Sequence, residues 1–194
     1  MAGSKKTFWS DASLEPKRKY RFRVLFNDNS SYTIKTVKNP SVTITQTPHK
    51  FLNHTFHYPG RAEWDELDVT FVDPSAPDQT FKLYDKLQQM GYASPVDNAA
   101  ALNGFTKYAA TTTLGDVRIQ TLGPARASTD TKLDIIGEWT LFNAFFTKIS
   151  WGDFSYDDEG LVELNTTIRY DYAEYNGSDM KLNPQSTAIG AGQQ

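Results

Sequence analysis

Three histidines, His49, His54 and His57, fall within nine residues and are the first candidates for metal chemistry. A structural or catalytic site needs three or four donors converging on one point. His54 and His57 stand an odd number of positions apart, so on a regular strand they face opposite ways. No cysteine or carboxylate lies beside them at ligand spacing, and they read as surface or interface histidines. The acidic run from Asp153 to Glu159 lacks the alternating oxygen ligands and closing glutamate of a calcium loop, so it reads as a solvated turn. No Gly-rich loop ends in Lys-Ser or Lys-Thr, and no Gly-x-Ser-x-Gly elbow is present. Among 23 acidic residues nothing singles out a pair for glycoside hydrolysis. The reading is therefore of a protein that is not an enzyme, with no catalytic, metal or cofactor site.

Zero cysteines in 194 residues remove disulfide scaffolds, thiolate zinc sites and cysteine nucleophiles together. The longest mostly apolar run, Leu141 to Phe146, contains Asn143 and is far shorter than the roughly 20 residues that span a bilayer. Lys5 and Lys6 are not followed by an apolar segment, so no signal peptide is expected and the chain is taken as made inside a cell. The glycosylation-like triplets at Asn29, Asn53, Asn165 and Asn176 then read as chance.

The net charge of -3 is unevenly spread. Residues 1–50 carry ten Lys and Arg against three Asp and Glu, a net +7, and the remaining 144 residues carry -10. The sharpest feature is a basic stripe, Lys17, Lys19, Arg21 and Arg23, alternating with Tyr20, Phe22, Val24 and Phe26. On a strand from Lys17 to Phe26 the cations share one face and the aromatics the other. Such a face can track phosphates, protect an edge or pair with acid on a neighbouring subunit.

Period-two alternation with turn clusters between runs predicts antiparallel strands through most of the chain. Further strands are expected at Tyr32 to Val37, Ser41 to Thr47, Asn53 to Tyr58, Leu67 to Val72 and Val117 to Leu122. Others follow at Lys132 to Trp139, Thr147 to Phe154 and Leu161 to Tyr172. Asn27 to Ser30, Pro48 to Lys50 and Pro59-Gly60 are expected to turn or stop the chain. Helical spacing of Phe81, Leu83, Tyr84, Leu87 and Met90 predicts a core-facing helix from Thr80 to Met90, capped by Asp78 and stopped at Gly91. Tyr92 to Leu114 reads as a long connection in which short ordered pieces can occur. The fold class is mainly β, an antiparallel β-sandwich or barrel with one α-helix. An arm at 1–16 and a flexible tail at 176–194 flank a β-domain at 17–175.

Three stretches taken together resemble a known family. They are Phe26 with the Thr43 to Pro59 hairpin region, then Pro59-Gly60-Arg61-Ala62-Glu63-Trp64-Asp65-Glu66-Leu67-Asp68-Val69-Thr70-Phe71-Val72-Asp73, and last Ile136-Gly137-Glu138-Trp139-Thr140-Leu141-Phe142-Asn143. With Ile149-Ser150-Trp151 and a closing strand ending Tyr170-Asp171-Tyr172, they resemble the tail tube protein of contractile-tailed bacteriophages of the T-even type. Asn143 stands where relatives commonly have proline, and the Tyr92 to Leu114 connection has no clear counterpart.

The resemblance implies a phage tail tube-like virion protein: six subunits per ring and rings stacked head to tail inside a contractile sheath. It implies assembly in the host cytoplasm and location in the viral tail. The implied partners are itself, the tail sheath protein, the tape-measure protein, and the baseplate and tail terminator proteins, with DNA only in transit and no membrane. A head-to-tail contact needs two different complementary surfaces, which the basic and acidic parts of the chain would supply. By the same resemblance His49, Lys50 and Phe51 lie near the tip of a hairpin from Val42 to Tyr58 that reaches the adjacent ring. Phe8 and Trp9 would anchor on a neighbour. The tube of a related contractile injection system is the alternative of the same class. A carbohydrate-binding β-sandwich using Trp9, Trp64, Trp139 and Trp151 is the alternative of another.

Overall fold

A computed structural model of the chain describes residues 16–27, 29–30, 32–94, 104–123 and 135–177. The first half contains β1 (Phe22–Phe26), β2 (Asn29–Ser30), β3 (Ile34–Val37), β4 (Val42–Phe51), β5 (His54–Trp64), β6 (Leu67–Val72) and α1 (Gln79–Gln89). The second contains α2 (Lys107–Leu114), β7 (Val117–Leu122), β8 (Ile135–Phe142), β9 (Phe145–Ser150), β10 (Glu163–Arg169) and β11 (Tyr172–Gly177).

Every strand pairing is antiparallel. One sheet runs β11-β8-β7-β1-β2, a second β3-β6-β10-β9, and β4 and β5 form a separate two-stranded ribbon. This is the mainly β architecture expected from the alternation. Leu67, Val69 and Phe71 of β6 and Leu164, Thr166 and Ile168 of β10 point inward together. They meet Val24, Ile119 and Leu141 of the first sheet in one core cluster, which Leu83, Met90 and Leu114 of the helices complete. Phe26 packs on Phe71 across the two sheets, ring centroids 6.0 Å apart. Thr166 is one of the buried polar residues, and its hydroxyl donates to the Val69 carbonyl at 3.2 Å, satisfying a group that burial would otherwise penalise.

Helix α1 starts as its sequence predicts. The Asp78 carboxylate accepts from Phe81 N at 2.9 Å, and Asp73 accepts from Gln79 N at 2.9 Å. Gly91 stops it in the left-handed region, φ +114°. The core-facing expectation holds only for part of its apolar stripe. Leu83 and Met90 are buried, whereas Phe81 and Tyr84 are exposed.

Four expectations are corrected. The connection after Tyr92 contains helix α2, so there are two helices among the described residues. Thr106 caps α2 by accepting from Ala109 N at 3.2 Å. The threonines that argue against a helix by propensity turn their hydroxyls back onto helix carbonyls, Thr111 to Lys107 and Thr113 to Ala109. Strand β1 begins at Phe22 and not at Lys17, because Arg21 N closes a turn onto Arg18 O at 3.1 Å. Tyr20, 73% exposed, is thus outside the core.

The other two concern strand ends. Pro48 and Pro59-Gly60 do not interrupt the ribbon. A register shift sets two residues of β5, Gly60 and Arg61, against the single Thr45 of β4, and Arg61 N donates to the Thr45 hydroxyl at 2.9 Å. A two-stranded ribbon leaves both outer edges unpaired, where a proline's missing N–H costs no ladder bond. The closing strand, expected to run to Tyr172, ends at Arg169. The chain turns through Tyr170-Asp171 and returns as β11, which pairs with β8 from Tyr172↔Phe142 to Gly177↔Gly137.

Candidate assembly surfaces

The ribbon is the most exposed element of the chain. All ten residues of β4 and all of β5 except Trp64 are exposed. Its turn places Leu52 at φ +52°, a conformation that disfavours branched side chains, and leaves that leucine 88% exposed. His49, Lys50 and Phe51 lie beside this turn, paired with Phe56, Thr55 and His54. His49 meets the Tyr58 ring edge-on at 6.3 Å. Val42, Ile44, Phe51, Phe56 and Tyr58 are exposed as well, so the ribbon presents apolar surface that its own chain leaves bare. Among the described residues no three His, Cys, Asp or Glu side chains come together as metal ligands.

The base of the ribbon is fastened to the body. Asp65 accepts from the Ser41 hydroxyl at 2.8 Å and the Thr43 hydroxyl at 3.2 Å. Trp64 packs against Trp139 and Tyr170 with centroids 6.4 and 6.0 Å away, and Trp139 against Tyr175 at 4.9 Å. Burial, with the Asp65 charge nearby, raises the Tyr170 phenol above its ordinary pKa and keeps it neutral. Trp64, Trp139 and Trp151 are half-buried packing residues. They form a scaffold for the ribbon more than an open platform for sugars.

The basic stripe is divided by the fold. Arg23 leaves it, because its guanidinium donates to Gln120 Oε1 at 3.0 and 2.6 Å. Gln120 in turn donates to Glu138, completing a cross-strand chain over β1, β7 and β8. Lys17 donates to the Tyr175 hydroxyl at 3.0 Å and lies over that ring. Lys19 and Arg21 line a groove of about 690 Å³ between the lead-in to β1 and the edge strand β3. Lys17 lines it as well, and its other cations, Arg18 and Lys35, come from positions outside the alternating stripe. Phe8 and Trp9 lie outside the described residues.

A larger cleft of about 1150 Å³ opens between the ribbon base, the helices and β9, with Trp64, Met90, Phe105, Ala110, Phe146 and Trp151 among its walls. The helices are cross-tied here. Lys86 of α1 donates to the Thr113 carbonyl of α2 at 3.0 Å, and burial lowers its pKa below the ordinary lysine value.

This arrangement, two antiparallel sheets with a separate, exposed two-stranded ribbon and two helices, is a tail-tube-like fold. A chain of the extended-state sheath-tube complex of the extracellular contractile injection system PVC superposes with TM-score 0.64. The identity is 15%, over 89% of this chain and 99% of that one. For the PVC sheath/tube terminator the TM-score is 0.60 at 16% identity, covering 84% and 98%. For the cap that terminates the tube of the anti-feeding prophage it is 0.59 at 14%, covering 84% and 93%. No protein-family model and no curated protein matches the sequence.

Proposed function

We propose that this chain is a structural subunit of the inner tube of a contractile tail, stacking head to tail in six-membered rings. Residues 17–175 are the assembling β-domain. The observation that carries the reading is the β4–β5 ribbon on a tube-type fold: a long element with exposed apolar residues that has no core to fill in its own chain. A hairpin of this kind needs a surface to lie on. The tip residues His49, Lys50 and Phe51 contact the adjacent ring, and Lys17, Lys19, Arg21 and Arg23 lie on or beside a basic surface that meets acid on a neighbour. Phe8 and Trp9 anchor the arm.

The sheath, terminator and baseplate are the further partners, and a tape-measure protein with DNA in transit would occupy the lumen. The role is structural and the location a virion tail, assembled in the host cytoplasm. The tube of a related contractile injection system fits the same fold. Negative-stain electron microscopy of the purified full chain tests the proposal. Rings or hollow tubes support it; a protein that stays monomeric at high concentration and binds a glycan array overturns it.

A further inference from the structure

The acidic side chains of this protein are unevenly committed. Asp65, Asp68, Asp73, Asp78, Asp85, Glu138, Glu163 and Asp171 all have hydrogen-bond or ion-pair partners within the body. Asp153, Asp157, Asp158 and Glu159 lie together on the connection between β9 and β10, and they form no ion pair with the described residues. That connection rises from a fixed base. Gly152, at φ +73°, brings its Cα side so close to the Glu163 carbonyl that a Cβ would sit 2.5 Å from the oxygen. Asp73 N donates to Val162 O at 3.0 Å on the other side. Inside it, Gly160 N donates to Asp158 at 2.8 Å and Asp157 N to the Ser155 hydroxyl at 3.2 Å. Phe154 and Tyr156 stand bare among these acids.

The cations show the converse. Lys35, Lys38, Lys107 and Arg169 each pair with a carboxylate. Arg18, Lys19 and Arg21 form no ion pair with the described residues, although they converge with Lys17 and Lys35 on one groove. No carboxylate among the described residues lines that groove, and Tyr20 stands exposed on its wall with Arg21 over its ring at 5.7 Å. An acidic projection with bare aromatics and a basic groove with a bare aromatic are different surfaces of one chain. They match in charge and in character, as a heterologous contact between copies requires.

We propose that the acidic β9–β10 connection of one copy seats in the basic groove of the next, Asp157, Asp158 and Glu159 meeting Arg18, Lys19 and Arg21. This rests on the self-assembling reading above and names the two surfaces it uses. The occupant is a second copy because the chain itself carries the complementary surface. A phosphate backbone in the groove is the competing occupant.

The test is a charge swap in the full chain, read by sedimentation and electron microscopy with thermal melts as the folding control. One variant carries Arg18→Glu with Lys19→Glu, a second Asp157→Lys with Asp158→Lys, and a third all four. Either one-sided variant should melt like the parent and need at least about tenfold more protein to assemble. The four-fold swap, and an equimolar mixture of the two one-sided variants, should both restore assembly. Parent assembly should weaken steeply as salt shortens the Debye length below about 8 Å. One-sided variants that assemble like the parent overturn the contact while leaving the tube reading intact. So does a swap that fails to restore, or rescue of the loop-reversed variant by Lys50→Glu. Groove reversal that abolishes retention on immobilised DNA with assembly unchanged assigns the groove to nucleic acid and overturns it too. A parent chain that never assembles overturns both readings.

Discussion

Lys107 on α2 reaches Asp171 in the turn between β10 and β11, its ammonium 2.8 and 2.7 Å from the two carboxylate oxygens. Asn143, at φ +56° in the β8–β9 turn, donates to the same carboxylate at 2.8 Å. One side chain therefore gathers a helix and two strand turns.

The hydrogen bonds from Lys107 and then Asn143 hold the Asp171 carboxyl below its ordinary pKa of 3.8. A carboxyl depressed in the folded state stabilises the fold above its unfolded value, and that contribution is lost as pH falls through the lower folded value. The pair faces solvent, which screens it. Asp171→Asn should lower Tm by about 2 °C or less at neutral pH. The gap to the parent should close in strongly acid buffer, and amide exchange across 107–114 should quicken at neutral pH alone. Equal differences at both pH values would contradict the assignment.

Replacing His49, Lys50 and Phe51 with Gly and Ser should leave a folded subunit that cannot polymerise. Leu52→Gly is the sharper companion. It relieves a left-handed residue that costs roughly 1–2 kcal/mol, so Tm should hold or rise while assembly weakens. Normal tubes from both variants would remove the ribbon tip from the interface.

Gly152→Ala should destabilise the subunit by about 2 kcal/mol or more, because positive φ and the nearby Glu163 carbonyl act together. The urea midpoint measures it. An unchanged midpoint would mean that the loop base yields.

Leu114 is fully buried at the end of α2. Truncating it to alanine should cost about 2–5 kcal/mol in denaturant unfolding. A loss below about 1 kcal/mol would show that α2 contributes little to the core.

Local pattern was legible where local chemistry decides the outcome. Leu67 to Val72 alternates and becomes β6 with those bounds, and Asp78 and Gly91 bracket α1 as their side-chain chemistry requires. Three features escaped for different reasons. Helix α2 hides behind Thr111, Thr112 and Thr113, whose low propensity is offset by burial of Ala110 and Leu114, with the hydroxyls of Thr111 and Thr113 finding acceptors on helix carbonyls. The ribbon passes Pro59-Gly60 because β5 carries one extra residue there, Gly60 and Arg61 together lying opposite Thr45 of the partner strand. The basic groove needs Lys35 from an edge strand distant in sequence from Lys19. The alternation of Lys17, Lys19, Arg21 and Arg23 suggested one straight face, whereas the turn at Arg18 and the Gln120 partner of Arg23 split it.

The ribbon also bears on when this protein becomes rigid. Two strands alone are barely stable in water, and these bury almost nothing against their own body. In a stack of rings, much of the ordering of β4 and β5 would be completed by the seat they land on. A subunit arriving at an existing end finds that seat ready; subunits starting a ring find none. A polymer built this way would extend readily and found itself slowly, so the number of tubes would be set by what supplies the first seat.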